Sequence, residues 1–184
     1  MKIFPQSLKL VSLSHPAIRQ EAGEVKEITP EIETLVQKMF ITMKENRGIG
    51  LAAPQVGIPL RLAVMEYEPK EQVSGSAGKR VSQEERVPKT ILINPKVISV
   101  SNRQAEDEEG CLTTPDVYGP VKRAEEVVVE TMDLTGKKIR IKAKGFFARV
   151  LQHELDHLKG IIFIDRVGDP GKLYTYHSPD GPKL

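Results

Sequence analysis

The chain has 184 residues, 39% of them hydrophobic and 28% charged, which suits one compact soluble domain around one core. Its formal net charge of +2 makes no electrostatic case for nucleic acid or a membrane surface. The single cysteine, Cys111, excludes an intrachain disulfide scaffold. The N-terminus opens no apolar run of signal-peptide length, and no stretch reaches the roughly 20 apolar residues of a membrane span. The expected location is therefore the cytoplasm of a prokaryote or an equivalent reducing compartment.

Residues 1–28 read as an irregular arm. Thr29 and Pro30 look like the cap and first position of a helix. Ile32, Leu35, Val36, Met39, Phe40 and Met43 follow at helical spacing, and Asn46-Arg47-Gly48 closes it. Residues 48–57 form a loop of small residues. Arg61 to Glu66 is an expected strand. Residues 67–89 are polar and charged and are expected to form an exposed insertion. Short strands are expected at Ile91–Ile93 and Val97–Ile98, around Asn94-Pro95. Val127–Val129 and Ile139–Ile141 are expected to form a hairpin that turns near Asp133 to Gly136. A helix follows from about Gly145 to Leu158, then a last short strand from Ile161 to Ile164. From Val167 the tail is expected to be irregular. Mostly short strands with two helices and no βαβ rhythm indicate an α+β fold.

The chemistry concentrates in His153-Glu154-Leu155-Asp156-His157. Two histidines four apart on a helix share one face and can share one ion. Glu154 between them can move a proton without binding the ion. A surface helix with two ordinary histidines is the competing reading. This pattern should arise by chance in roughly one chain in a few hundred of this length. Two of the four histidines fall within it, and Phe146, Phe147, Val150 and Leu151 lead into it, which marks a core helix. Buried histidines beside an acid need partners.

A catalytic site needs a third ligand and an open position. The sequence follows the metzincin peptidase pattern through Gly160 but carries Phe163 where the last histidine belongs. No glutamate lies downstream of His157. Asp165, Asp169 and His177 remain as downstream candidates, and a zinc-type metallopeptidase using one of them is one alternative. Upstream, Cys111 is either a buried apolar thiol or a thiolate ligand.

Three motifs occur together: Gly48-x-Gly50-x-Ala52-Ala53-x-Gln55, Glu109-Gly110-Cys111-Leu112, and Gln152-His153-Glu154-x-Asp156-His157. Their order and spelling resemble the peptide deformylase family, from about His15 to Arg166. That family removes the formyl group from the N-terminal methionine of nascent proteins. The resemblance implies one catalytic domain over residues 1–184, with short, mostly antiparallel strands packed around a central helix. It implies Cys111, His153 and His157 as metal ligands and Glu154 as acid and base. It gives the Gln55 side chain and the Leu112 backbone N–H to the oxyanion. Gly48 and Gly50 would let backbone approach the substrate, and Ile49, Phe146, Val150 and His153 would wall a methionine pocket. The implied ion is Fe2+ in the cell, with Zn2+, Ni2+ or Co2+ as alternatives in purified protein. Glu109 is expected to pair with Arg123 in support of Cys111, whereas Arg149 receives no role.

Some features depart from the family. Thr113 stands where serine is usual, Pro54 varies the first motif, and the 67–89 segment is long. The Gly- and Pro-rich tail does not read as the C-terminal helix with which longer members dock on the ribosome. The implied partners are nascent formyl-methionyl peptides, with ribosome proximity but no such docking helix, no membrane and no direct nucleic acid contact.

Overall fold

A computed structural model describes residues 6–69 and 86–176. The fold is α+β. Helix α1 spans Pro16–Arg19, α2 Pro30–Glu45 and α3 Gly145–His157. The strands are β1 (Gly50–Ala52), β2 (Leu62–Tyr67), β3 (Val87–Val100), β4 (Gln104–Cys111), β5 (Thr114–Ala124), β6 (Glu126–Met132), β7 (Lys138–Lys144) and β8 (Tyr174–Thr175). They form a five-stranded sheet in the order β1-β2-β3-β6-β7 and a three-stranded sheet in the order β4-β5-β8. The strand pairings are antiparallel.

Helices α2 and α3 cover the larger sheet. The chain Leu62-Ala63-Val64-Met65 is buried on both faces because it runs between them. Leu62 and Val64 join Val36, Met39, Phe40 and Met43 of α2, with Leu51 and Ile93. Ala63 and Met65 turn the other way, into a cluster with Leu151 and Leu155 of α3, Leu92, Val127 and Val129. This is the two-residue alternation of a strand sandwiched between helices.

The expected helices and the β6–β7 hairpin are present, the latter turning through Gly136 with its N–H on Asp133 O. Other expectations need correction. The N-terminal arm carries α1, and Gly23 forms a parallel bridge with Leu60. The two short strands around Asn94 are one strand, β3. Asn94 has φ 50°, and its side chain accepts from Val25 N and donates to Val25 O, so the strand bends there without ending. The 67–89 segment is strand at both ends: Tyr67 closes β2 opposite Val87, which opens β3 and is fully buried. Residues 70–85 of the expected insertion lie outside the described residues. Ile161 to Ile164 is not a strand. Phe163–Arg166 is a 3-10 turn, because the Asp165 carboxylate accepts the Ile162 N–H and closes it. The tail is less irregular than expected. Pro170–Lys172 forms a second 3-10 turn, and Tyr174–Thr175 pairs with Tyr118 and Val117; residues 177–184 lie outside the described residues. Strands β4 and β5 were not read from the sequence at all.

Candidate active site

The site lies where α3 meets β1 and the β4–β5 turn. Helix α3 carries Val150, Leu151 and Leu155 toward the core, and the same face buries Arg149, Glu154, Asp156 and His157. His153 and His157 stand one turn apart, and Cys111 ends β4 opposite Thr114. His157 Nε2 is 3.2 Å from His153 Nε2 and 3.3 Å from Cys111 Sγ. These three ligand atoms all lie within 4.8 Å of one another.

The set fits a divalent cation. His153 Nδ1 is 2.9 Å from Glu109 Oε2. Glu109 can only accept, so Nδ1 holds the proton and the Nε2 lone pair turns to His157 and Cys111. Burial resists ionisation of Cys111, yet the His157 and His153 imidazoles outweigh it and hold the thiol well below its ordinary range. That favours thiolate, the form that binds metal. Sulfur and two imidazole nitrogens suit zinc, iron or related ions and leave a position open for substrate.

Phe163, in the place of the metzincin third histidine, is fully buried and stacks on His153 with ring centroids 6.4 Å apart. Asp165 pairs with Arg19 and caps its own turn, away from the cluster. Asp169 accepts from Gly171 N, and His177 lies outside the described residues. The third candidate ligand is therefore upstream, at Cys111.

Glu154 is buried, and among the described residues its Oε2 has no hydrogen-bond partner. Burial pushes its carboxyl up to about 7 against the opposing pull of His157 and His153. A carboxyl poised there can both take and return a proton near neutral pH. Gly50 makes room for it, since a Cβ at that position would overlap Glu154 Oε1. The Gln55 amide is oriented by its own turn. Oε1 accepts from Ala52 N at 2.7 Å, which aims Nε2 at Cys111 Sγ (3.3 Å) and Thr113 Oγ1 (3.2 Å).

Ile49, Gly50, Gln55, Leu112, Phe146 and Val150 line one cleft of roughly 430 Å3, with Cys111, His153 and Glu154 in its wall. Gly48 does not line the cleft but abuts it, because a Cβ there would meet Leu112 Cδ1 at 2.6 Å.

The Glu109–Arg123 pair is present and bidentate, with both bonds at 2.9 Å. Its carboxylate bonds His153, so its support reaches a second member of the cluster. Arg149, without a role in the sequence, donates to Glu109 Oε1 at 2.8 Å and to the carbonyls of Val121 and Ala105. Arg123 also holds Asp156, whose other partner is Arg166. Gln152 bridges Ala124 N and O. The sequence carries a signal for these residues: Arg149 and Asp156 are charges seven apart that interrupt the apolar face of an amphipathic helix.

An apolar cleft ending in a Cys-His-His cluster beside a buried glutamate defines the class as a metal-dependent hydrolase. Comparison with known proteins narrows it. Residues 7–172 match the sequence profile of polypeptide deformylase. The peptide deformylase of Thermomicrobium roseum is 38% identical over 164 residues, 89% of this chain and 88% of that protein. That of a Roseiflexus species is 44% identical over 156 residues, 83% and 82% of the two chains. Among solved structures, a Synechococcus elongatus peptide deformylase in complex with actinonin superposes with a TM-score of 0.78 at 37% identity, covering 94% of this chain and 84% of that one. A Met-Ala-Ser-bound class I type b peptide deformylase from Acinetobacter baumannii gives 0.78 at 31% identity, covering 89% and 99%. The chain belongs to the polypeptide deformylase family. Among the described residues, no helix is long and apolar enough to cross a membrane.

Proposed function

We propose that this chain, acting as one catalytic domain in the cytoplasm, removes the formyl group from the N-terminal formyl-methionine of newly made proteins and releases formate. The observation that carries this reading is the convergence of Cys111, His153 and His157 beside Glu154 and Gln55 on one apolar cleft.

Cys111, His153 and His157 would hold one divalent ion, Fe2+ in the cell. When bound, such an ion supplies Lewis-acid polarisation and lowers the pKa of water. The remaining work falls to the chain's own residues. Ile49, Phe146 and Val150 take the methionine side chain, while Gly48 and Gly50 let backbone come close. Glu154 accepts the proton of the attacking water on its carboxylate and delivers it to the leaving amine nitrogen. Gln55 Nε2 and the Leu112 N–H donate to the oxygen on which negative charge develops. Burial of Glu154 matches its proton affinity to both halves of that exchange.

The test is anaerobic purification, supply of ferrous iron, and measurement of formate released from a formyl-methionyl tripeptide. Formate above background is expected. Its absence from protein with metal bound would refute the reading. Cys111→Ser should lose the metal; a variant that kept it would point back to a downstream ligand.

A further inference from the structure

Helix α2 ends in a Schellman motif: Gly48 N donates to Met43 O at 2.8 Å and Arg47 N to Lys44 O at 3.1 Å. The motif needs a left-handed residue at the position of Arg47, and Arg47 has φ 56°. Glycine fits that position without strain, whereas a residue with a Cβ does not. A strained residue kept where glycine would serve calls for a reason outside the turn.

The location supplies one. Arg47 is exposed and directly precedes Gly48, which abuts Leu112 of the cleft wall, and Ile49 and Gly50, which line the cleft. Among the described residues, its guanidinium has no hydrogen bond or ion pair. Of the charges just before it in the chain, Glu45 is exposed and Lys44 is committed elsewhere. Lys44 pairs with Glu66 at 2.6 Å. Inside the cleft, Glu109 is neutralised by Arg123 and Arg149. On β4, Glu108 is hydrogen-bonded by Tyr174. Arg47 is thus an exposed, uncommitted cation two residues before Ile49 of the cleft lining, close to where a peptide with its methionine in the cleft would emerge.

We infer that Arg47 is a specificity-determining residue, pairing with acidic side chains that follow the formyl-methionine in the substrate. This rests on the deformylase reading. It links the strained cap to function: the helix gives up some stability so that a cation stands at the rim.

The experiment uses the iron-loaded protein and three amidated peptides, formyl-Met-Ala-Ala and its variants with Glu or Lys in the last position. An exposed ion pair is worth about a two- to fivefold change in KM. The wild type should show that advantage for the Glu peptide over the Lys peptide at low salt, and lose most of it at high salt. Arg47→Glu should reverse the order. Arg47→Gly should abolish it while raising Tm by about 2–4 °C. A purely structural role would move all three peptides together. Equal KM values in the wild type, or the wild-type order surviving in Arg47→Glu, would overturn the assignment while leaving the neutral peptide's formate release intact. No formate from any peptide would remove the deformylase reading and this subsite with it.

Discussion

The two sheets are tied to the same helix by different forces. The five-stranded sheet meets α3 through Met65, Leu92, Val127, Val129, Leu151 and Leu155, an apolar seam. The three-stranded sheet meets it through charge: Arg149 and Arg123 on Glu109, and Arg123 on Asp156, which Arg166 of the following turn also holds. Its own apolar cluster has few members, with Val121, Phe163 and Val167 buried. An apolar seam stabilises without fixing atoms to a fraction of an ångström. A buried network of guanidinium and carboxylate groups has directional bonds and costs much to break. The ionic seam borders Cys111 and His153, where position matters most.

If the ionic side is the chemical side, the largest losses of activity should come from residues there and need not cost stability. Glu154→Gln should reduce formate release by about 10²- to 10⁴-fold. Its Tm should stay level or rise, because burial disfavours the charge of Glu154 and the amide carries none. Metal content should be unchanged. Near-normal turnover in this variant would remove Glu154 from the reaction.

Gln55→Ala should follow, with kcat down by about 10²- to 10³-fold, the usual cost of one oxyanion donor. KM should change little. A large rise in KM with kcat intact would make Gln55 a ground-state contact.

Glu109→Gln tests the seam itself. Removing the carboxylate leaves Arg123 and Arg149 buried with one carboxylate partner fewer, at about 3–5 kcal/mol in denaturant unfolding. It also releases His153 Nδ1, so metal affinity should fall by about 10- to 100-fold, read by competition with a chelator. Leu92→Ala, in the apolar seam, should cost a comparable 2–5 kcal/mol through its cavity, yet leave metal affinity where it was. If both variants weakened metal binding alike, the contrast between the seams would collapse.

The same contrast explains what could be read from the sequence. Apolar periodicity exposed α2, α3, β2 and the β6–β7 hairpin because hydrophobic burial writes itself as spacing. Strand β4 reads Gln104-Ala105-Glu106-Asp107-Glu108-Glu109-Gly110-Cys111, mostly exposed and acidic, and its pairing with β5 leaves no such trace. The residues that converge on the cleft stood out through motifs, since chemistry constrains residue type at fixed spacing. Arg149 and Asp156 showed only as charges on an otherwise apolar helix face; their partners were not legible, because those come from a distant strand and turn. The Phe163 turn was misread for a related reason: Ile161 to Ile164 has the composition of a strand, and the Asp165 cap on Ile162 decided otherwise.

The smallest expected effect sharpens the comparison most economically. Lys144 and Glu126 make an ion pair at 2.8 Å on the outer hairpin, as short as the Arg149–Glu109 contact at 2.8 Å. Distance alone would rate them alike. The outer pair is largely exposed, with both partners solvated before and after contact, whereas the inner one is nearly dry. Water therefore cancels most of the outer attraction, and flexible side chains lose entropy in holding it. Lys144→Ala should change unfolding free energy by less than about 0.5 kcal/mol, and its residual effect should vanish in high salt. The Glu109 variant should keep its penalty in the same salt, because ions do not enter the seam. A salt series on both variants thus tests whether burial, rather than the number of ion pairs, makes the second sheet's junction rigid enough to position a candidate metal ligand.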